Sequence, residues 1–205
     1  MRKKGQDSIK TREALLKAAL ELISRRGYLG ATTKEIARKA GVTEITLFRH
    51  FGSKEQLFEQ LLKEYSFLPK LRDLIPKVKR LSAEEALLGI GLAFLDTLKE
   101  RERLVKIMLS EMNIYPDKVK VIYSRFISEL IDVLGKYFSE LQKKGVLIKF
   151  DALTGARAFL GMIFSYFLSE VILQGRMINS REQSRIVKTY VNIFLHGVVN
   201  RKGHG

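Results

Sequence analysis

Apolar residues recur every three or four positions almost throughout this chain, and no stretch sustains an alternation of period two. That spacing lines one face of a helix and cannot line one face of a sheet, so it predicts an all-α protein. "TREALLKAALELISRRG" places Ala14, Leu15, Ala18, Ala19, Leu22 and Ile23 on one stripe, with Gly27 as its stop. "TTKEIARKAG" opens with Thr32 and carries Glu35 three positions later, a capping box, and it ends at Gly41. Thr43 caps a helix of about two turns, too short to persist on propensity alone. Ser53, with Gln56 as reciprocal partner, opens a linking helix over 53–68.

Past Pro69 and Pro76 the segments lengthen. Helices are expected near Ala83–Glu100, Arg103–Met112, Asp117–Lys143, Phe150–Gln174 and Arg181–Asn200, punctuated by Pro116, Gly145, Gly175 and Asn179–Ser180. The longest uncharged apolar run, Ala158–Ser169, holds twelve residues; it is short for a bilayer and suits a buried helix. The opening "MRKKGQDS" reads as a basic arm, since no apolar core of a secretion signal follows it. These features predict a soluble, cytoplasmic protein with no membrane partner.

Charge narrows the choice of partner. Lys and Arg number 37 against 22 Asp and Glu, a formal net charge of +15. Residues 1–54 hold 13 basic and 5 acidic side chains, the denser positive region. Such an excess suits a polyanion, either nucleic acid or an anionic membrane surface, or else serves only to keep the surface soluble. Cysteine is absent, which removes disulfides and thiolate metal sites, and the three histidines form no H-x-x-x-H pair. No glycine-rich phosphate loop precedes a helix. Neither a catalytic set, a metal site nor a cofactor is therefore expected, and the chain does not read as an enzyme.

The second and third helices form a helix-turn-helix pattern. Ala37 lies where a bulky side chain would keep the two helices apart, Gly41 supplies the tight turn, and Leu47 points back toward Ile36, Ala40 and Val42. Around it, "RRGYLGATTKEIARKAGV", "TLFRHF" and "SKEQLF" resemble the N-terminal domain of the tetracycline-repressor-like (TetR) family of bacterial transcription regulators, over Thr11 to Leu61. The later helices agree with that family in number and length alone. The resemblance implies a DNA-binding helix-turn-helix domain over 1–54, joined by the 53–68 helix to an effector-binding and dimerisation bundle over 69–205.

The resemblance makes the short helix a recognition helix whose N-terminal end enters the DNA major groove. Thr32 and Thr33 then meet phosphate, Lys34 a base edge or phosphate, and Thr43 caps the helix beside them. Glu44, Ile45 and Thr46 occupy its first turn: the carboxylate suits cytosine N4, and Ile45 or the Thr46 methyl suits a thymine methyl. Arg49, His50 and Lys54 fall at further DNA-contacting positions. Phe48 belongs to the same DNA-binding set; it stands where many members carry a tyrosine whose hydroxyl bonds a phosphate, and its ring can offer packing in place of that bond.

For the C-terminal helices the same resemblance implies a homodimer and a small-molecule effector. Ala158, Gly161, Ser165 and Ser169 form a low-relief strip suited to a close helix partner, and Tyr190, Phe194 and Val198 extend the surface on the last helix. Phe94, Met108, Tyr123, Phe126, Met162 and Tyr166 are the candidates to line a pocket for an effector at least partly apolar. The expected function is a dimeric, effector-responsive regulator, a repressor, on a palindromic operator of double-stranded DNA. A nucleoid-associated or adaptor DNA-binding protein of the same fold, controlled by a protein partner, is the alternative.

Overall fold

Helix follows helix along the chain. The computed structural model describes residues 2–198 and the side chains of 6–197. The first five helices are α1 (Arg2–Gly30), α2 (Thr33–Lys39), α3 (Glu44–Phe51), α4 (Lys54–Tyr65) and α5 (Phe67–Val78). They are followed by α6 (Ala83–Glu100), α7 (Glu102–Glu111) and α8 (Asp117–Lys143). The last two are α9 (Ala152–Tyr166), which continues as a π-helical stretch over Phe167–Leu173, and α10 (Ser180–Val198). No strand occurs among the described residues.

The caps at Thr32, Thr43 and Ser53 form as the sequence predicts, but Gln56 does not reciprocate at Ser53, whose N–H bonds the Phe51 carbonyl at 2.9 Å. Thr32 accepts the Glu35 N–H at 3.2 Å while the Glu35 carboxylate takes the Thr32 N–H at 3.4 Å. Thr43 accepts from Thr46 N and Ser53 from Gln56 N, at 3.3 and 3.1 Å. Each side chain satisfies an amide that the first helical turn leaves without a partner. Gly27 breaks α1 with φ 80 and ψ 171, and Gly41 turns between α2 and α3 at φ 73; both lie in the left-handed region open to glycine.

A second expectation is corrected. The linking helix was expected to run to residue 68 with the prolines beyond it as punctuation. Instead α4 stops at Tyr65, where Ser66 turns extended (ψ −175), and α5 runs through both prolines. Pro69 lies in the first turn of α5, where a missing N–H costs nothing, and Pro76 lies in its last turn, where one bond is lost.

Two compact units emerge. One takes the chain up to Ser66 together with Arg101–Phe126; the other takes Phe67–Glu100 and the chain from Ile127 onward. The middle of the chain is thus shared between them, since α7 and the start of α8 join the N-terminal helices. In the first unit Leu15, Ile36, Leu47, Phe58, Leu61 and Val119 are fully buried in one core.

In the second unit Phe138 packs against Phe159 and Phe194, with ring centroids 6.3 and 5.4 Å away. Gln183, 5% exposed, donates to Asp96 at 2.7 Å and accepts from Lys99 at 2.9 Å, so its buried amide is satisfied on both sides. The helix Ala152–Leu173 is long and apolar enough, by length and composition, to cross a membrane, which the uncharged run alone did not indicate. Here its apolar residues divide between the unit's interior (Phe159, Ile163, Phe167) and an exposed strip.

Candidate nucleic-acid interface

Two buried anchors, Leu47 at 0% exposure and Phe51 at 5%, hold α3 against the first unit's core. Helical spacing then turns the rest of its first two turns outward. Ile45 is 81% exposed and Phe48 43% exposed, two large apolar side chains left open on one eight-residue helix. Lys34 and Arg49 are exposed, and Thr33, Glu44, Thr46, His50 and Lys54 are partly covered. The DNA-contact candidates from α2, α3 and the start of α4 are thus all at least partly open to solvent.

Their hydrogen bonds were not legible in advance. Thr33 Oγ1 donates to Glu44 Oε1 at 2.5 Å, tying the first turn of α2 to that of α3. Thr32 Oγ1 donates to Glu35 Oε2 at 2.9 Å, and the Thr43 and Thr46 hydroxyls share a bond of 3.0 Å. All four threonine hydroxyls on this face have internal partners; Thr32 and Thr33 spend their hydrogens on carboxylates, whereas the Thr43–Thr46 pair shares one bond and keeps a second hydroxyl hydrogen for an outside acceptor. Glu44 keeps a second carboxylate oxygen for an outside donor.

Charge on this face is held in place locally. The Thr32 hydroxyl, followed by Arg26 at 2.6 Å, keeps the Glu35 carboxyl below its ordinary value. The Lys54 ammonium lies 4.4 Å over the Tyr28 ring, and burial there pushes its pKa down while Glu55 and Glu111 oppose the shift. His50 lies with its ring centroid 6.3 Å from that of Phe51, at the end of α3.

The remaining candidates fall elsewhere. Ala158, Gly161 and Ser165 are exposed along one side of α9, while Ser169 and Tyr190 are partly covered. Phe194 is only 8% exposed and turns into the aromatic cluster rather than onto the strip; the side chain of Val198 lies outside the described residues. An open apolar groove of about 410 Å³ runs beside the strip, lined by Ala158, Met162, Ile193 and Gly197 among others. Of the pocket candidates, Met108, Tyr123 and Phe126 belong to the first unit, and Phe94, Met162 and Tyr166 to the second. Phe94 stacks on Phe67 at 5.0 Å, and the Tyr166 hydroxyl donates to Glu182 at 3.2 Å.

Comparison with known proteins agrees with this arrangement. The sequence pattern of bacterial regulatory proteins of the tetR family matches residues 15–61, and that of the AefR-like transcriptional repressor C-terminal domain matches residues 85–197. The uncharacterized HTH-type transcriptional regulator YvkB of Bacillus subtilis is 31% identical over 188 residues, spanning 92% of this chain and 97% of that protein. The transcriptional regulator FadR from Bacillus subtilis, solved in complex with stearoyl-CoA, superposes with a TM-score of 0.72 at 17% identity. That match covers 90% of this chain and 98% of FadR. NalD, the secondary repressor of the MexAB-OprM multidrug efflux pump in Pseudomonas aeruginosa, superposes with a TM-score of 0.68 at 22% identity, covering 96% of this chain and 100% of NalD. At these identities the two solved structures establish the fold.

Proposed function

The chain belongs to the tetR family of bacterial regulatory proteins and is a helix-turn-helix transcriptional regulator; from that premise we propose that it acts in the cytoplasm as a dimeric, effector-controlled repressor of a palindromic operator. The observation that carries the DNA-binding half is the outward first turn of α3. Ile45 stands 81% exposed there between threonines and a carboxylate, on a helix that two buried residues fix in place. An apolar tip ringed by donors and acceptors is poorly suited to water and well suited to base edges.

In this reading residues 1–54 read DNA, and residues 69–205 bind effector and partner subunit. Glu44, Ile45 and Thr46 meet bases. Lys34, Arg49, His50, Lys54 and the amides near Thr32, Thr33 and Thr43 meet the backbone. The exposed Ala158–Gly161–Ser165 strip and its apolar groove pair with their two-fold equivalents, and a palindrome read in successive major grooves then requires two recognition helices about 34–36 Å apart. An effector at least partly apolar binds among the C-terminal helices; the acyl chain in the FadR complex supports that chemistry. By preferring a dimer with wrongly spaced heads, it lowers operator affinity by its differential affinity for that state.

Selection of bound duplexes from random DNA tests this directly. The expected product is a palindrome whose half-sites lie about one helical turn apart. Repeating the selection with Glu44→Ala should relax one base pair in each half-site. Recovery of unenriched sequence by the full-length protein would overturn the assignment.

A further inference from the structure

The end of α7 reaches the DNA-binding helices at one point. Gly27 leaves the helical path, and the next residue, Tyr28, starts a new turn whose N–H has no carbonyl behind it. Glu111, the last residue of α7, supplies the acceptor: its Oε2 takes the Tyr28 N–H at 2.8 Å. The fit is close, since a Cβ on residue 27 would come within 1.8 Å of Glu111 Oε1. Glycine at 27 thus provides both the left-handed backbone and the space for an acid that comes from 84 residues further along the chain.

What Glu111 fixes bears on DNA. Tyr28 is 3% exposed, its ring 5.0 Å from that of Phe58 and edge-on to that of Tyr115 at 6.2 Å. Over the ring sits the Lys54 ammonium, at the first residue of α4 and within the proposed DNA face. Carboxylate, amide, ring and ammonium therefore form one chain of contacts from α7 to the DNA-facing edge of α4.

A second observation marks the same corner. The Tyr115 hydroxyl is buried with no hydrogen bond of ordinary geometry, and Glu111 is near enough that its charge and a hydrogen bond to it push the Tyr115 pKa up after burial has done so. An orphaned buried hydroxyl is costly, about 1–3 kcal/mol. Glu111, whose charge and hydrogen bond both help to raise the Tyr115 pKa, is the group that meets it. The carboxylate thus has two donors beside it, the Tyr28 amide and the Tyr115 hydroxyl, and two oxygens with which to accept them.

We propose that Glu111 is a positioning residue for operator binding, holding Tyr28 and through it the Lys54 ammonium in the phosphate-contacting position. This rests on the DNA-binding reading above and adds the point at which α7 controls it. Glu111 touches no DNA itself.

The test uses the full chain and a duplex recovered by selection, titrated by fluorescence anisotropy over a range of salt concentrations. Lys54→Ala should weaken binding about five- to tenfold and make the log–log salt slope shallower by about 0.9, the signature of one lost phosphate contact. Glu111→Ala should reproduce both changes, and the double variant should be no worse than Lys54→Ala. A merely structural loss would not remove a single counterion's worth of slope. Where Glu111→Ala lowers helicity, Glu111→Asp keeps the charge but withdraws it from the amide, and should show the same slope. A full wild-type slope in both Glu111 variants, or slopes that add in the double variant, overturns the proposal. If Arg49→Ala and Lys54→Ala both bind as wild type, it is the DNA face that fails.

Discussion

Gly161 offers a substitution whose sign depends on whether the strip on α9 meets a partner. Within one subunit the residue is exposed, and a Cβ added there meets nothing within 4 Å. For an isolated subunit Gly161→Ala is therefore pure gain, about 0.8–1.0 kcal/mol of helix propensity in mid-helix. If the strip packs against its two-fold mate, the methyl group enters a contact built for a bare backbone. Overpacking of that kind costs about 1–3 kcal/mol, and symmetry makes it count twice, for about 2–6 kcal/mol against association. The dimer constant should then weaken by about thirtyfold or more. Sedimentation velocity over a dilution series measures the association, and thermal melting of the dilute protein measures the subunit. A variant that melts about 2–4 °C higher when dilute and dissociates more readily is the expected result. Association as tight as wild type, with the same gain in melting temperature, would show that the strip faces water.

Two further perturbations probe the DNA face. Phe48→Tyr places a hydroxyl on a ring already 43% exposed, and should tighten binding to the selected duplex about fivefold while leaving the salt slope unchanged, because a neutral donor releases no counterion; unchanged affinity would place residue 48 off the backbone. Thr32→Ala removes the hydroxyl that is the main cause of the lowered Glu35 pKa. With a folded value below the ordinary 4.5, Glu35 adds stability that is complete above 4.5 and is lost as pH falls through the lowered value. The variant's Glu35 carboxyl should titrate closer to 4.5 by NMR and its acid-side stability curve should flatten; an unmoved titration would assign the shift to Arg26 and the Thr32 backbone N–H instead.

The helices of the N-terminal unit were legible because their signals are local. Thr32, Thr43 and Ser53 each cap the turn that follows them, and Leu47 and Phe51 face inward because their spacing leaves Ile45 and Phe48 outward. Helix α5 was obscured because proline is a breaker in mid-helix and harmless in a first turn, and the sequence does not print where the first turn begins. The wide apolar stripe of α10 had a similar ambiguity. It holds enough large residues for two surfaces, and only the aromatic cluster shows that Phe194 serves the interior while Ile193, 58% exposed, does not. Likewise the bond between Thr33 and Glu44 joins two helices across a turn, beyond the reach of any capping rule.

The grouping of α7 with the N-terminal helices had no periodic signal at all, since Leu104 and Met108 would suit either core equally well. One local irregularity did point to it. The last turn of α7 holds no basic residue and ends on Glu111, a negative charge at the negative end of a helix dipole, unfavourable by about 0.3–1 kcal/mol. A charge that opposes its own helix is retained where it satisfies something else, and the local rule breaks where a tertiary partner outweighs it. Here that partner is the Tyr28 amide, and a charge-assisted bond to a half-buried N–H, about 1.5–3 kcal/mol, exceeds the dipole penalty. The balance follows from the two magnitudes: with Tyr28 in place Glu111 stabilises the unit, and without that bond the helix-dipole penalty is offset only by what Tyr115 and the Lys54 charge supply.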